Sequence, residues 1–308
     1  MDEKNLESAG DEPLRSAVQR RLEFLDFRLW WSGRVNRKDL SDVFRISPQQ
    51  ASADIGAYEK RAPQNLRYDN ALKTYLRTDE FEPAFVGGST DRYLLQLVAV
   101  QSGWMRREDT WFETIPPLDV VSLKRRSIDP QNLQRVLEAI RGKLEIEIEY
   151  SSINSATNSK RWIAPHALGY SAARWHVRAW SRERNDFRDF NLNRIGPISG
   201  ERAATVDTHL DYEWDNFIDL ILVPNSNLDI QTQHALETEF NMTDGRLTLP
   251  IRLALVFYVR NEYNLDVAPG LLDPKKQQLT LENQDEVESA RRIARKMSGD
   301  ALKRAEIT

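Results

Sequence analysis

The 308-residue sequence contains no cysteine, which excludes disulfides, thiol catalysis and cysteine-ligated zinc. Histidine is scarce. The four present, His166, His176, His209 and His234, form no His-Glu-x-x-His array and no other paired metal-ligand spacing. A phosphate-cradling glycine-rich loop and a Gly-x-Ser-x-Gly nucleophile elbow are likewise absent. No metal, no cofactor and no enzyme activity is therefore expected, and a nuclease using His166 and His176 as an acid–base pair lacks a supporting motif. Long apolar runs are missing too: nothing approaches the ~20 residues that span a bilayer, and the acidic, leucine-poor Met1 to Glu12 does not read as a secretory signal. A cytoplasmic protein with no membrane partner is expected.

What remains is ordinary globular composition, 40% hydrophobic and 29% charged, with length for two or three domains. The net charge of -4 hides an asymmetry. Pro13 to Thr78 holds 13 Lys and Arg against 7 Asp and Glu, whereas Asp207 to Thr308 holds 11 against 18. Tyr150 to Gly196 is also basic. Basic modules ahead of an acidic one point to polyanion contact in the former, although a solvated basic face has the same composition.

In the first module, Val18, Leu22, Leu25 and Leu29 recur at spacings of four, three and four, the stripe of an amphipathic helix with Arg20, Arg21 and Arg28 outside it and Gly33 at its end. A short helix follows, with Asn36 as N-cap and Leu40, Val43 and Phe44 inward. Ser47 caps a third helix that opens with Pro48 and buries Ala51, Ile55 and Tyr58. This is a helix-turn-helix pattern. Its second helix presents Ser47, Gln49, Gln50 and Ser52 at its start, and glutamine pairs well with the N6 and N7 of adenine. Leu66 to Asn70 and Leu72 to Arg77 read as two strands around an Asp-Asn turn, a wing placing Lys73, Tyr75 and Arg77 near phosphates or the minor groove. Three helices and a hairpin also describe small interaction domains, and polar residues at a helix start can be caps alone.

Between Phe81 and Pro117 a flexible joint precedes a helix capped by Ser89, with Tyr93, Leu94, Leu97 and Val98 as its stripe. Trp104, Trp111 and Phe112 follow, either packing on a dimer partner or folding back on their own module. Asp129-Pro130 starts another helix that turns Leu133, Val136, Leu137 and Ile140 inward and stops at Gly142. Leu144 to Tyr150 then alternates, one face apolar and the other acidic. A turn from Asn154 to Ser159 leads to strands at Lys160 to Ile163, Ala167 to Tyr170, Arg174 to Trp180, Phe187 to Leu192 and Ile195 to Ser199. In Arg174 to Trp180, Trp175, Val177 and Ala179 face one way and His176, Arg178 and Trp180 the other; Arg188, Phe190, Leu192 and Arg194 share a face of the next strand.

The order Arg161, Pro165-His166-Ala167-Leu168-Gly169-Tyr170, Trp175-His176-Val177 and Arg188-Asp189-Phe190-Asn191-Leu192-Asn193-Arg194-Ile195 resembles the WYL domain of bacterial transcriptional regulators. That domain is named for Trp-Tyr-Leu, where this chain has Trp-His-Val. The resemblance covers about a quarter of the chain and implies a small Sm-like β-barrel. It also implies an N-terminal winged helix-turn-helix and a C-terminal extension that supports dimerisation. Within the barrel, Tyr150, Ser152, His166, His176, Arg178, Arg188 and Arg194 are the candidate pocket residues, because guanidinium forks suit phosphate and aromatic or imidazole rings suit bases. Arg178 and Arg188 are the leading contacts. Trp175 is expected in the core; Tyr150 fits core or contact, and Arg194 could instead bond a loop.

The last hundred residues alternate strand and helix: Phe217 to Val223, Ile230 to Phe240, Gly245 to Leu249, a helix through Leu253 to Val259, Gln277 to Leu281 and a charged helix from Gln284 to Met297. The expected fold class is α+β multidomain: a winged helix-turn-helix over 1–80, a helical connector over 81–119, a WYL Sm-like domain over 120–205 and a C-terminal α/β extension over 206–308. The expected function is a homodimeric DNA-binding repressor, of the type the resemblance links to phage-defence loci. Its partners are a palindromic double-stranded operator and a nucleotide or oligonucleotide effector. The alternative is an RNA-binding or nucleic-acid-processing protein that works through the barrel.

Overall fold

The computed structural model describes residues 16–86, 89–121, 127–153, 158–171 and 173–306. Two compact units divide the chain, Met1–Leu123 and Lys124–Thr308. The Gly87-Gly88 joint and most of the turn from Asn154 lie outside the described residues.

In the first unit the helices are α1 (Ser16–Ser32), α2 (Arg37–Phe44), α3 (Pro48–Arg61) and α4 (Thr90–Gln101), and the strands are β1 (Arg34–Val35), β2 (Leu66–Asp69) and β3 (Thr74–Arg77). Local chemistry sets the boundaries. Gly33, at φ 72, ends α1 by donating its N–H to the Leu29 carbonyl. Asn36 and Asp39 form a reciprocal capping box on α2, and Ser47 caps α3 ahead of Pro48. The strands pair antiparallel in the order β1-β3-β2, which makes a winged helix. Leu22, Leu25, Leu29, Leu40, Ile55, Tyr58 and Leu66 form its core.

Three expectations fail here, two of them because tertiary packing overrides a local pattern. Arg28, expected outside the α1 stripe, is buried and lies 3.3 Å from Glu113 and 3.7 Å from Asp39. The segment after α4 folds back, so Leu97 of α4 and Phe112 cover Phe27 on the second side of α1 while Trp111 packs edge-on against Phe24 and Phe27. Trp111 and Phe112 thus turn to their own module, and Trp104 stays exposed. Val43, expected inward, is exposed because Leu40 alone of the α2 residues is fully enclosed. The wing turn is also wider than Asp-Asn: the Asp69 carboxylate accepts from the Ala71 and Leu72 N–H groups, and β3 starts only at Thr74.

The second unit begins with α5 (Pro130–Gly142) packed on an antiparallel sheet of β4 (Leu144–Tyr150), β5 (Ser159–Ser171), β6 (Arg174–Ser181), β7 (Asp186–Asn191) and β8 (Ile195–Ala203), ordered β7-β6-β5-β4-β8. The Tyr150 hydroxyl, at the end of β4, accepts the Asn191 N–H at the end of β7 at 3.1 Å and ties the edge strand back to the other side of the sheet. Ile146, Ile148, Ile163, Val177, Ala179 and Phe190 fill the interior under Val136 and Ala139 of α5. The chain continues through α6 (Tyr212–Asp215), β9 (Phe217–Pro224), α7 (Ile230–Glu239), β10 (Leu247–Arg252), α8 (Val256–Glu262), β11 (Leu279–Leu281) and α9 (Gln284–Glu306), with the sheet order β10-β9-β11.

Several local expectations are corrected in this unit. Gly142 stays helical, and Lys143 takes the left-handed position at φ 51. Glu145, expected on a solvated acidic face, is fully buried between Arg182 and Arg202 at 2.7 and 2.8 Å. Lys160 to Ile163 and Ala167 to Tyr170 are one strand, bent by a register shift between Pro165 and Ala167 rather than broken. Leu137 is exposed, and α9 runs nine residues past Met297. Trp175, expected in the core, is 45% exposed and lies 4.8 Å from the Tyr170 ring. Trp180 is buried instead, beside Phe187 and Leu302 of α9. The reason is that β6 is covered on both faces, by the barrel interior and by the C-terminal elements. Among the described residues no helix is long and apolar enough to cross a membrane.

Candidate functional site

In the first unit, α3 exposes Gln49, Ser52, Ala53 and Lys60, with Gly56 half-buried between them. The spacing puts these residues along one side of the helix, and a Cβ built on Gly56 meets nothing within 4 Å. The result is a nearly smooth face that another surface can approach closely. Of the four residues expected there, Ser47 accepts from the Gln50 N–H as cap, the Ser52 hydroxyl donates to the Pro48 carbonyl, and Gln50 donates to Asp54 at 3.0 Å. Gln49 is exposed with no hydrogen bond of its own among the described residues. In the wing, Lys73 is exposed at the tip, at φ 51. Tyr75 packs edge-on against Tyr68 with ring centroids 4.9 Å apart, and Arg77 donates to the Trp30 carbonyl at 2.9 Å. Lys73 and Gln49 are therefore the unencumbered members of the predicted set.

In the second unit a cavity of about 490 Å³ opens between the β6–β7 edge of the barrel and helices α8 and α9. Arg161, Arg178, Arg188, Arg194, Arg291 and Arg295 line it against three carboxylates, Asp186, Asp189 and Glu213. Tyr150, Phe187, Phe190, Phe257 and Tyr258 supply aromatic wall. Cationic forks beside ring faces are the groups that recognise phosphate next to a base.

The arginines are not equivalent. Arg178 is 4% exposed and its guanidinium is engaged on all three nitrogens: Nε and one terminal nitrogen hold Asp211 at 2.7 and 2.9 Å, Glu213 lies at 3.3 Å, and Asp189 at 3.5 Å. Burial opposes its charge, yet the three carboxylates raise its pKa above the ordinary arginine value. Burial also works against ionising Asp211, but hydrogen bonds from His166 and Arg178 hold its carboxyl below the usual range. Asp189 goes the other way: burial pushes it up, with Arg178 and the Tyr258 hydroxyl opposing only in part. Arg188 is half-exposed with a loose 3.6 Å pair to Asp186. The register sets Arg178 opposite Asp189 and Arg188 opposite Ala179, so the two arginines leave the sheet on opposite faces. The cavity reaches both because β7 is the sheet edge.

The cavity wall thus includes Tyr150, Ser152, Arg178, Arg188 and Arg194, but neither expected histidine. His166 binds Asp211 at 3.0 Å and borders a separate hollow with Pro165 and Thr205. His176 is buried under Tyr258, 3.2 Å from its hydroxyl, and burial followed by the nearby Arg174 and Arg194 lowers its pKa to about 4. A buried neutral imidazole with that partner is a packing group. Sequence reasoning missed the contribution of the C-terminal elements: Glu213 of α6, Phe257 and Tyr258 of α8, and Arg291 and Arg295 of α9. One signal for the last pair was present, basic residues at i and i+4 in an otherwise acidic region.

Family models match the chain in order. The BrxR transcriptional regulator winged helix-turn-helix domain matches residues 17–99, the WYL domain 131–199, and the BrxR transcriptional regulator C-terminal dimerization domain 217–287. Over 283 residues the chain is 35% identical to a protein of Stenotrophomonas maltophilia described as DNA-binding transcriptional repressor CapW, covering 92% of this chain and 95% of that one. A protein of the same description from Pseudomonas aeruginosa is 35% identical over 292 residues, covering 91% and 94%; one from Escherichia coli is 34% identical over 278, covering 90% and 93%. Among solved structures, proteasome accessory factor B/C of Arthrobacter aurescens aligns over 99% of this chain and 52% of its own at 15% identity, with a TM-score of 0.24. This chain spans about half the length of that last protein.

Proposed function

This chain belongs to the family of DNA-binding transcriptional repressors named CapW, and from that premise we propose that it represses a phage-defence locus in the cytoplasm by binding a palindromic operator. The winged helix and the C-terminal dimerisation domain support a dimeric repressor. In this reading α3 of each protomer lies in a major groove with Gln49 toward a base edge, the smooth Ser52–Gly56 face allows close approach, and Lys73 of the wing meets phosphate. The barrel cavity holds a nucleotide or oligonucleotide that binds one arrangement of the dimer better than the other and thereby weakens operator binding. The observation that carries the ligand half is the imbalance of six arginines over three carboxylates in one aromatic-walled cavity.

The DNA half has a direct test in gel shifts across operator variants and salt concentrations. Gln49→Ala is expected to relax preference at one base pair, losing about 1 to 3 kcal/mol of discrimination. Lys73→Ala is expected to weaken all sequences alike and to flatten the log K against log salt slope by about 0.9. Unchanged sequence preference in the Gln49 variant would move base reading off the start of α3.

A further inference from the structure

We propose that Glu213 is a built-in competitor for the cavity's ligand, a carboxylate that occupies Arg291 and Arg295 until a phosphate group displaces it and so releases α6. The proposal rests on the ligand reading above and adds which residues the ligand must take over. Glu213 is buried, and one carboxylate serves three guanidiniums. Its Oε1 accepts from Arg295 Nε at 2.8 Å and lies 3.9 Å from Arg291 Nε, while its Oε2 accepts from Arg178 at 3.3 Å.

Arg291 is the unbalanced member. Its side chain is 12% exposed, its Nε is buried with no hydrogen-bond partner among the described residues, and the 3.9 Å approach to Glu213 is its one ion pair there. A largely enclosed guanidinium with so little compensation favours an added anion. Burial and then the neighbouring Arg295 depress its pKa, in keeping with that excess of positive charge. A phosphate carries up to twice the charge of a carboxylate and one more acceptor oxygen, so it can satisfy Arg291 and Arg295 together where Glu213 engages only one closely. Both arginines and Glu213 share the wall that Arg188 and Arg194 complete. A ligand resting on the outer arginines and reaching α9 therefore meets the half-exposed Arg295 and competes with Glu213 for it.

Displacing Glu213 has a defined structural consequence. Asp211, which caps α6, stays clamped by Arg178 and His166. The remainder of the four-residue α6 is held by Tyr212 N–H donating to Ser298 Oγ of α9 at 3.0 Å and by Arg252 of β10 donating to the Trp214 carbonyl. β9, the central strand of the C-terminal sheet, starts two residues after α6, at the first residue of the matched dimerisation domain. Turning Glu213 out of the cavity thus loads the joint that fixes the root of that sheet, a route from ligand to dimer geometry.

The test uses the full-length dimer and a 5′-phosphorylated thymidine dinucleotide titrated by calorimetry. Glu213→Gln keeps the shape and removes the competing charge, so it should bind the dinucleotide about tenfold more tightly than the wild type, because the occupied fraction of the site no longer has to be vacated. Arg291→Ala should bind it more weakly than the wild type. Equal affinity in wild type and Glu213→Gln overturns the competitor while leaving a ligand site in place; no binding to either protein overturns the ligand reading and this inference with it. Hydrogen exchange of the unmutated protein gives a second readout that needs no variant to fold. The dinucleotide should speed exchange from Tyr212 to Phe217, and unchanged exchange in that segment under saturating dinucleotide contradicts the proposal.

Discussion

Arg178→Ala is expected to destabilise the second unit by about 3 to 5 kcal/mol in a urea melt, the cost of removing one partner from a buried ionic network. The substitution takes a cation from three carboxylates: Asp211 loses a bidentate partner at 2.7 and 2.9 Å, Asp189 loses its guanidinium at 3.5 Å, and Glu213 is left with the arginines of α9. The effect has a pH signature. In the wild type the Asp211 pKa is depressed below its ordinary 3.8, so its contribution is present above that value and is lost as pH falls through the folded-state pKa. In the variant Asp211 and Asp189 lose that cation while burial still opposes their charge, so their folded pKa values rise, each binds protons more tightly folded than unfolded, and stability declines as pH climbs above about 4. The gap between the two proteins should therefore widen from pH 4 to pH 7. A variant that melts like the wild type at pH 7 would show that Arg178 is not the keystone its geometry indicates, and would return it to the list of free ligand contacts. Arg188→Ala, in contrast, removes a half-exposed side chain and should leave the melt unchanged.

A fragment ending at residue 123 is expected to remain folded and to lose about 10² to 10⁴ in affinity for a two-half-site operator. Folding is expected because the winged helix and the segment that covers α1 have their own cores, Leu22 to Leu66 and Phe27 with Leu97 and Phe112. The affinity loss follows from removing the dimerisation domain, after which the second half-site no longer binds at the high effective concentration that tethering provides. Single half-site duplexes should bind fragment and full chain nearly alike. Full operator affinity in the fragment would mean that the winged helices pair without the C-terminal elements.

The contrast between these two units explains what could be read from the chain. The winged helix was legible because its signals are local: Gly33, Asn36, Ser47-Pro48 and the apolar spacings each act within a turn or two. The C-terminal strands and helices were legible for the same reason. Arg178 was misjudged as a free contact because its partners Asp211 and Glu213 lie 33 and 35 residues downstream, beyond the barrel, on a four-residue helix too short to leave a periodic trace. Trp175 and Trp180 exchanged their expected places for a related reason. Alternation identifies the two faces of β6, but only the packing of α9 decides that the second face is buried as well. Glu145 follows the same logic, since its two arginines arrive from β8 and from the turn after β6. About a third of the cavity lining was thus hidden in a domain whose net acidity pointed away from anion binding.

In the proposed function, cavity and operator are two ends of one equilibrium. The most direct measurement is the affinity of the full-length dimer for the 5′-phosphorylated thymidine dinucleotide in the absence and presence of saturating operator, the operator being a duplex recovered by selection from random sequence. Linkage requires operator to weaken dinucleotide binding by the same factor by which the dinucleotide weakens operator binding, and a factor of about 5 to 150, the usual range of such couplings, is expected. Identical dinucleotide affinities with and without operator would contradict it.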